Sequence, residues 1–207
     1  KFSRQGSAYV YLRDGIIYRG DTPVMAADEI LLPGVHNIEN YMAAIAAVEG
    51  LVDDEAICRV ARNFGGVEHR IELVRVVNGV RYYNDSIASS PSRTIAGLKS
   101  FDQKVILIAG GYDKHIPYDV LGPEICKHVK KLYLGGATGP QIRAAVENLP
   151  GCPEIEDCGN FDAAFYAAVR DAREGDVVLM SPASAAFDQF KNFMVRGDHF
   201  KKLVKEL

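Results

Sequence analysis

The sequence lacks an excess of positive charge and any long apolar run. It carries 24 lysines and arginines against 27 aspartates and glutamates, for a net charge of −3. Nucleic-acid and anionic-membrane binders normally present a basic stripe, so this balance argues against both kinds of partner. Apolar runs such as VILIAGG and VVLM are far too short to span a bilayer, and the N-terminal residues contain no signal-peptide core.

Metal-binding and phosphate-binding patterns are also missing. The four cysteines form no C-x-x-C pair, and no histidine completes a zinc pattern near Cys152 and Cys158. We therefore predict free thiols, a cytoplasmic location and no metal site built on these residues. No G-x-x-x-x-G-K-[ST] phosphate loop occurs. The chain does not begin with methionine, so we expect it to be a fragment.

The residues that are present predict a folded α/β protein, since 48% of them are hydrophobic. Residues 8–32 alternate like short strands, with a hairpin at Asp14-Gly15 and a turn at Pro33-Gly34. Two helical stretches follow, NIENYMAAIAAVEGL and DDEAICRVARNF. Gly65-Gly66 then ends the second helix and predicts a hinge.

The second half begins near His69 with a hairpin around Asn78-Gly79, which predicts a type I′ turn. Strand and helix patterns alternate after it. Strands are predicted at 105–109, 131–134 and 176–180, and helices at 91–100, 117–128, 139–148, 160–173 and 187–206. This alternation predicts a Rossmann-like α/β domain with an N-terminal hairpin and a mostly parallel sheet covered by helices on both faces.

Three strands end in small or polar residues: Asn84-Asp85-Ser86, Gly110-Gly111-Tyr112-Asp113-Lys114 and Ser181-Pro182-Ala183-Ser184. Parallel strands would bring these ends to one edge, where open α/β sheets bind ligands. Asp85 is then either a ligand contact or a helix cap, and Lys114 either a ligand contact or a solvated turn lysine. The LGGATG segment at 134–139 lacks dinucleotide-binding spacing, which favours a structural role.

Three other stretches have a structural interpretation. Asn37 suits a helix N-cap, and Arg70 suits an exposed surface position. The segment SPASAAFDQFKNFMVRGDHF, at 181–200, predicts an amphipathic helix whose phenylalanines pack into the core.

Five segments in order carry a family resemblance: LPGVHNIENYMAAIA, GGVEHRIELV, GVRYYNDSIASSP, IAGGYDK and VVLMSPASAAFDQFKNFMVRGDHF. The chain resembles, over essentially its whole length, the C-terminal part of a Mur ligase of the D-glutamate-adding type. The resemblance implies that residues 1–68 are the C-terminal part of the central ATP-binding domain. It implies that residues 69–207 form the amino-acid-binding domain.

The resemblance implies an ATP-dependent ligase of peptidoglycan synthesis that adds D-glutamate to UDP-N-acetylmuramoyl-L-alanine through an acyl phosphate. It implies ATP and Mg²⁺ as cofactors, with the phosphate loop and most metal ligands upstream of Lys1. The fragment is therefore expected to be inactive without the N-terminal domains. Alternatives are another Mur or folylpolyglutamate-type ligase, or a stand-alone nucleotide-binding module.

The resemblance assigns site residues but no catalytic residue in this stretch. The implied ATP contacts are Asn37, Arg70 and Asp85. The implied D-glutamate contacts are Lys114, Ser89 and Phe193. Two positions depart from the family pattern, because Ile87 stands where lysine is frequent and Ala186 where serine is frequent. These departures place the amino-acid preference in doubt.

Overall fold

The structure, a computed structural model, describes residues 1–4, 8–32 and 34–207. The chain divides into two compact units, Lys1–Gly66 and Val67–Leu207. The division lies two residues before the boundary expected between residues 68 and 69, and the roles of the two units remain predictions. Pro33, the first residue of the predicted Pro33-Gly34 turn, lies outside the described residues.

The first unit packs two helices with a small sheet. Its elements are β1 (Phe2–Ser3), β2 (Val10–Arg13), β3 (Ile16–Arg19), β4 (Thr22–Ala26), a 3₁₀ turn (Ala27–Glu29), α1 (Val35–Ala47) and α2 (Asp54–Asn63). The predicted hairpin joins β2 and β3 as an antiparallel pair, with Asp14 and Gly15 in the left-handed conformation that its tight turn requires. Met42 and Ile45 of α1 are buried against this sheet.

The second unit contains a six-stranded sheet. Its strands are β5 (Glu72–Val77), β6 (Val80–Asn84), β7 (Val105–Ala109), β8 (Val129–Gly135), β9 (Glu154–Gly159) and β10 (Val177–Met180). Its helices are α3 (Pro91–Leu98), α4 (Gly122–His128), α5 (Gly139–Val146), α6 (Phe161–Asp171) and α7 (Phe193–Lys205). The strand order is β5-β6-β10-β7-β8-β9, in which only the β5–β6 pair is antiparallel. The predicted mostly parallel sheet with an N-terminal hairpin is therefore confirmed.

Alternate residues of the central strand β7 face two separate cores. Leu107 packs with residues of α3, α4 and α5 on one face of the sheet. Ile106 and Ile108 pack with residues of α6 and α7, including Phe165 and Phe200, on the other. The five residues of β7 are all buried, as expected for a strand covered on both faces. None of the helices in the described part of the chain is long and apolar enough to cross a membrane.

Two helices begin later than the residue pattern predicts. Helix α4 starts at Gly122 rather than at 117, with Pro123 in its first turn, a position where proline is well tolerated. Helix α7 starts at Phe193 rather than at 187, because the side chain of Asn192 caps it by accepting from the backbone N–H of Val195 at 2.9 Å. Phe187 therefore lies before the helix and is exposed instead of packing in the core.

We predict that residues 67–207 fold independently of the first unit. Two complete cores within about 140 residues suffice for a stable domain. Residues 64–67 have no regular secondary structure, and a side chain added at Gly65 would contact nothing within 4 Å. Limited proteolysis should therefore cut first between residues 62 and 70 and leave a resistant fragment of the second unit. Early cleavage within 105–180, with the 62–70 segment intact, would contradict this prediction.

Candidate functional site

The three polar strand ends meet at one edge of the sheet, as the sequence predicts, because β6, β10 and β7 are parallel neighbours. The backbone N–H of Asp85 donates to Met180 O at 2.8 Å, and that of Gly110 donates to Pro182 O at 2.9 Å. Tyr112 N–H also donates to Ala185 O at 2.9 Å. The segments that follow the three strands, residues 84–86, 110–114 and 181–184, therefore form one connected surface, the strand-end edge.

Two consecutive glycines allow this close approach after β7. Gly110 and Gly111 have φ angles of 113° and 155°. A Cβ atom on Gly110 would lie 2.3 Å from Gly135 O, and one on Gly111 would lie 2.3 Å from Ala185 O. Real Cβ atoms do not approach backbone oxygens so closely, so neither position admits a side chain without moving the edge.

Neighbouring polar groups hold the same glycines. Gly111 N–H donates to Thr138 Oγ1 at 3.0 Å, and the Thr138 hydroxyl lies 2.8 Å from Ser184 Oγ. Ala137 N–H, just before α5, donates to Asp188 Oδ2 at 3.2 Å. The amides of the LGGATG segment are thus engaged within the protein, in agreement with the structural role expected for it.

Asp85 is buried, with 3% of its surface exposed, and both its carboxyl oxygens accept hydrogen bonds. The Ser181 hydroxyl donates to Oδ2 at 2.7 Å, and the Ile71 N–H donates to Oδ1 at 3.3 Å. Burial raises the pKa of Asp85 to about 7, while these hydrogen bonds and the positive charges of Arg70 and Arg93 oppose the rise. The strand-end edge thus contains a buried carboxyl group whose pKa is raised by burial.

Arg70 is exposed on the segment that precedes β5, and its charge acts on Asp85. Phe193 is partly buried at the start of α7, where its carbonyl accepts from the Ser86 hydroxyl at 2.7 Å. Ser89 is half-buried, and its N–H donates to Ile87 O at 2.8 Å. The structure therefore brings Arg70 and Phe193 to the segments around Asp85 and Ser86.

Lys114 is exposed beyond the β7 end. Its neighbour Asp113 is turned toward His115, whose N–H donates to Asp113 Oδ1 at 2.6 Å. The side chain of Gln141 also donates to Asp113 Oδ2 at 3.1 Å. The negative charge next to Lys114 in the sequence is thus engaged by other groups, and the lysine ammonium lies at the surface beside the strand-end edge.

Asn37 belongs to the first unit and lies in the first turn of α1. The N-cap of that helix is Gly34, so the interpretation of Asn37 as an N-cap is wrong. Asn37 N–H donates to Gly34 O at 3.0 Å, and its side chain accepts from Asn40 at 3.4 Å. The implied adenine contact remains a prediction.

Arg196 is the buried cation that the sequence reasoning missed. It is 1% exposed, and its guanidinium donates to Ser86 O and Ser184 O at 3.0 Å and to Ala185 O at 3.1 Å. Its Nε–H also donates to Ser86 Oγ at 3.0 Å. Arg196 therefore ties the segment after β6 to the segment after β10. The sequence did contain a signal for this buried arginine, because Arg196 lies three residues after Phe193, on the apolar stripe of α7.

Among the described residues, one group of three side chains offers closely spaced ligand atoms for a metal: Glu68, His69 and Asp198. Lys201 already pairs with Glu68 and lies 3.2 Å from Asp198 Oδ1. The group does not fit Mg²⁺, which requires an octahedral shell of oxygens. All four cysteines are free, as predicted.

Comparison with known proteins identifies the family. Residues 69–184 match the domain described as Mur ligase, glutamate ligase domain. This chain belongs to the Mur ligase family. The resemblance found in the sequence motifs is thereby confirmed, and the matched region contains the hairpin and the strand ends after β6, β7 and β10.

Two curated relatives carry the name UDP-N-acetylmuramoylalanine–D-glutamate ligase. The protein of Acetivibrio thermocellus is 52% identical over 207 residues, which cover 94% of this chain and 44% of the relative. That of Clostridium beijerinckii is 49% identical over 201 residues, covering 95% of this chain and 44% of the relative. The chain thus spans less than half the length of the curated relatives it matches.

Solved structures share the fold at low sequence identity. UDP-N-acetylmuramate–alanine ligase MurC from Thermotoga maritima matches with a TM-score of 0.67 at 15% identity, covering 92% of this chain and 42% of that one. Escherichia coli FolC in complex with ADP matches with a TM-score of 0.66 at 17% identity, covering 96% and 47%. These likenesses support the α/β architecture.

Proposed function

We propose that this chain forms part of a cytoplasmic, ATP-dependent ligase that joins D-glutamate to UDP-N-acetylmuramoyl-L-alanine in peptidoglycan synthesis. The observation that carries the proposal is the sequence identity of 52% and 49% to ligases of that name, over almost the whole chain. The ADP-bound FolC structure, which shares the fold, supports a nucleotide as the second ligand.

In the proposed reaction, ATP transfers its γ-phosphoryl group to the carboxylate of UDP-N-acetylmuramoyl-L-alanine, giving an acyl phosphate and ADP. The amine of D-glutamate then attacks the acyl carbon, loses a proton, and phosphate leaves as the amide forms. Activation replaces a poor leaving oxygen by phosphate, so the protein must align the reactants and stabilise charge. Residues of this chain act here by binding and orienting.

We assign ATP contacts to Asn37, Arg70 and Asp85. Arg70 offers an exposed guanidinium suited to phosphate or carboxylate oxygens. For Asp85 the support is its place at the strand-end edge and its electrostatic interaction with Arg70. Asn37 rests on the family motif alone.

We assign the D-glutamate contacts to Lys114, Ser89 and Phe193. Lys114 supplies an exposed cation beside the strand-end edge, where a dicarboxylic amino acid needs one. Phe193 is held at the start of α7 through its carbonyl, which the Ser86 hydroxyl contacts. Ser89 lies in the turn between β6 and α3.

The test is the amino-acid dependence of phosphate release by the full-length protein, supplied with ATP and UDP-N-acetylmuramoyl-L-alanine. We expect release with D-glutamate and little with L-glutamate or L-lysine. A second candidate, a ligase with a different amino-acid preference, is favoured by Ile87 and Ala186 in the implied pocket. Turnover with another amino acid but not with D-glutamate would establish that candidate.

In the full-length enzyme, Lys114→Ala should weaken the use of D-glutamate roughly ten- to a hundredfold, because a hydrogen bond to a charged group contributes about 1.5–3 kcal/mol. Ile87 has no donor with which to compensate. The KM for ATP should change much less. Lys127→Ala, at an exposed position on α4, is the matched control and should leave both constants unchanged. An unaltered D-glutamate KM and kcat in Lys114→Ala would show a solvated turn lysine instead.

A further inference from the structure

Arg70 lies between two residues with unusual backbone conformations. His69 has a φ angle of 65° and Ile71 one of 46°. Positive φ is uncommon outside glycine, and it is a genuine outlier for a β-branched residue such as Ile71. Such strain persists only where the surroundings fix the backbone, and it concentrates at ligand-binding sites. The direction in which Arg70 leaves the chain is therefore set by both neighbours.

Hydrogen bonds from the second unit fix this backbone at every residue. His69 N–H donates to Glu72 Oε2 at 2.9 Å, Arg70 N–H to Val67 O at 3.1 Å, and Ile71 N–H to Asp85 Oδ1 at 3.3 Å. In return, His69 O accepts from the N–H of Ile87 at 3.2 Å. The backbone around Arg70 is thus pinned on both sides, while its own side chain is exposed.

The His69 side chain is the buried anchor of this segment, with 5% of its surface exposed. Asn84 Oδ1 accepts from Ser86 N–H at 3.1 Å, so the amide nitrogen of Asn84 faces His69 Nδ1, at 3.0 Å. That nitrogen is the donor side of the amide, so it is suited to donate to Nδ1. The other ring nitrogen, Nε2, lies 3.9 Å from Asp198 Oδ1.

Helix α7 packs directly on the His69 ring. A Cβ atom on Gly197 would lie 2.2 Å from His69 Nδ1, so this helix position requires glycine. The ring also packs edge-on against Phe193, with centroids 5.9 Å apart and planes at 86°. The ring is therefore confined between Asn84, Gly197 and Phe193, and it anchors residue 69, whose left-handed backbone precedes Arg70.

We propose that His69 is a positioning residue, which acts through Arg70 by holding the strained backbone in the conformation that presents the guanidinium to an anionic nucleotide. The proposal rests on the proposed function, since it takes Arg70 as a nucleotide contact. It assigns His69 no contact with the ligand and no proton transfer. It also explains why a buried histidine and a helical glycine face each other here.

The test is a double-mutant cycle in the full-length protein, with the dissociation constant for ATP as its first readout. His69→Ala and Arg70→Ala should each weaken ATP binding about tenfold, as expected for loss of one charged contact. The double variant should bind no more than about twofold more weakly than Arg70→Ala alone, since coupled residues are not additive. His69→Asn should restore binding, because asparagine tolerates the left-handed backbone and its Oδ1 can accept from Asn84.

The KM values give a second readout that general destabilisation would not reproduce. His69→Ala should raise the KM for ATP about tenfold and that for D-glutamate less than about twofold. Three results would each overturn the proposal. The first is a double variant whose loss of ATP affinity equals the product of the two single losses. The others are equal changes in the two KM values and unchanged ATP binding in His69→Ala. If His69→Ala does not fold, His69→Gln replaces it, and equal ATP affinity of the Asn and Gln variants would overturn the proposal.

The outcomes separate this inference from the proposed function. A wild-type protein that binds ATP without coupling it to D-glutamate contradicts the proposed function alone, because the binding cycle still decides the role of His69. A wild-type protein that binds no ATP overturns both. Urea unfolding of each variant, with the wild-type midpoint as reference, shows that the compared proteins are folded.

Discussion

Arg196→Met is expected to lower the free energy of unfolding of the second unit by roughly 3–5 kcal/mol, because three buried carbonyls lose their charged donor at once. Methionine fills a similar volume but leaves the carbonyls of Ser86, Ser184 and Ala185 without the donors that Arg196 supplies. An unsatisfied buried polar group costs about 1–3 kcal/mol. Burial lowers the pKa of Arg196 to about 10, so the side chain is still charged at pH 7.

Urea unfolding of residues 67–207, followed by circular dichroism, measures this loss. Arg170→Met is the matched control, because Arg170 is exposed and pairs with Glu156 and Asp171 at the surface, where such pairs contribute about 0–1 kcal/mol. Arg196→Lys keeps the charge but not the planar fork, so it should fall between wild type and Arg196→Met. Equal losses in the Arg196 and Arg170 variants would show that the buried hydrogen bonds do not carry this stability.

Much of the second unit could be predicted because its signals are local. The Asn78-Gly79 turn has both residues at positive φ, as a type I′ turn requires. The run VILIA is strand β7, buried on both faces. Strand β9 was not predicted because its sequence, EIEDCG, is rich in charge and lies at the sheet edge, where pairing with β8 alone defines it. Strand formation there depends on a partner that local sequence does not reveal.

The site could be predicted as a location but not as a set of contacts. The strand ends were placed at one edge because parallel strands align their carboxyl ends. The bond between Ser181 and Asp85 joins residues 96 positions apart, and no local pattern predicts it. The contacts of Arg196 could not be predicted because its partners, Ser86 and Ser184, lie on loops that are separated from it along the sequence. Its role is to hold these loops together.

Asp85 makes the stability of the second unit depend on pH in a direction opposite to that of most carboxylates. Its folded-state pKa, about 7, lies above its ordinary value of 3.8. Between these two values the folded protein retains a proton that the unfolded chain has released. The free energy of unfolding contributed by Asp85 therefore falls as the pH rises from about 4 to 7, and it levels off above 7.

Asp85→Asn should remove this dependence, because the amide stays neutral at every pH. Its oxygen can accept from Ile71 N–H in place of Oδ1, and its NH₂ can donate to Ser181 Oγ in place of Oδ2. Ser181 can then turn its own hydroxyl proton toward Thr94 Oγ1, 3.0 Å away. All the polar groups around position 85 thus keep partners in the variant, so the substitution isolates the charge.

We expect Asp85→Asn and wild type to be equally stable near pH 4. At pH 7.5 the variant should be more stable by the order of 2–4 kcal/mol, at ~1.4 kcal/mol per unit of pKa displacement. Urea unfolding of both proteins at intervals from pH 4 to 8.5 gives the difference curve, in which all other titrating groups cancel. A flat difference curve would mean that the buried carboxyl titrates alike in the folded and unfolded states. A variant that is less stable than wild type throughout pH 4 to 8.5 would mean that Arg70 and Arg93 stabilise the carboxylate at position 85 more than burial destabilises it, because its folded-state pKa would then lie below 3.8.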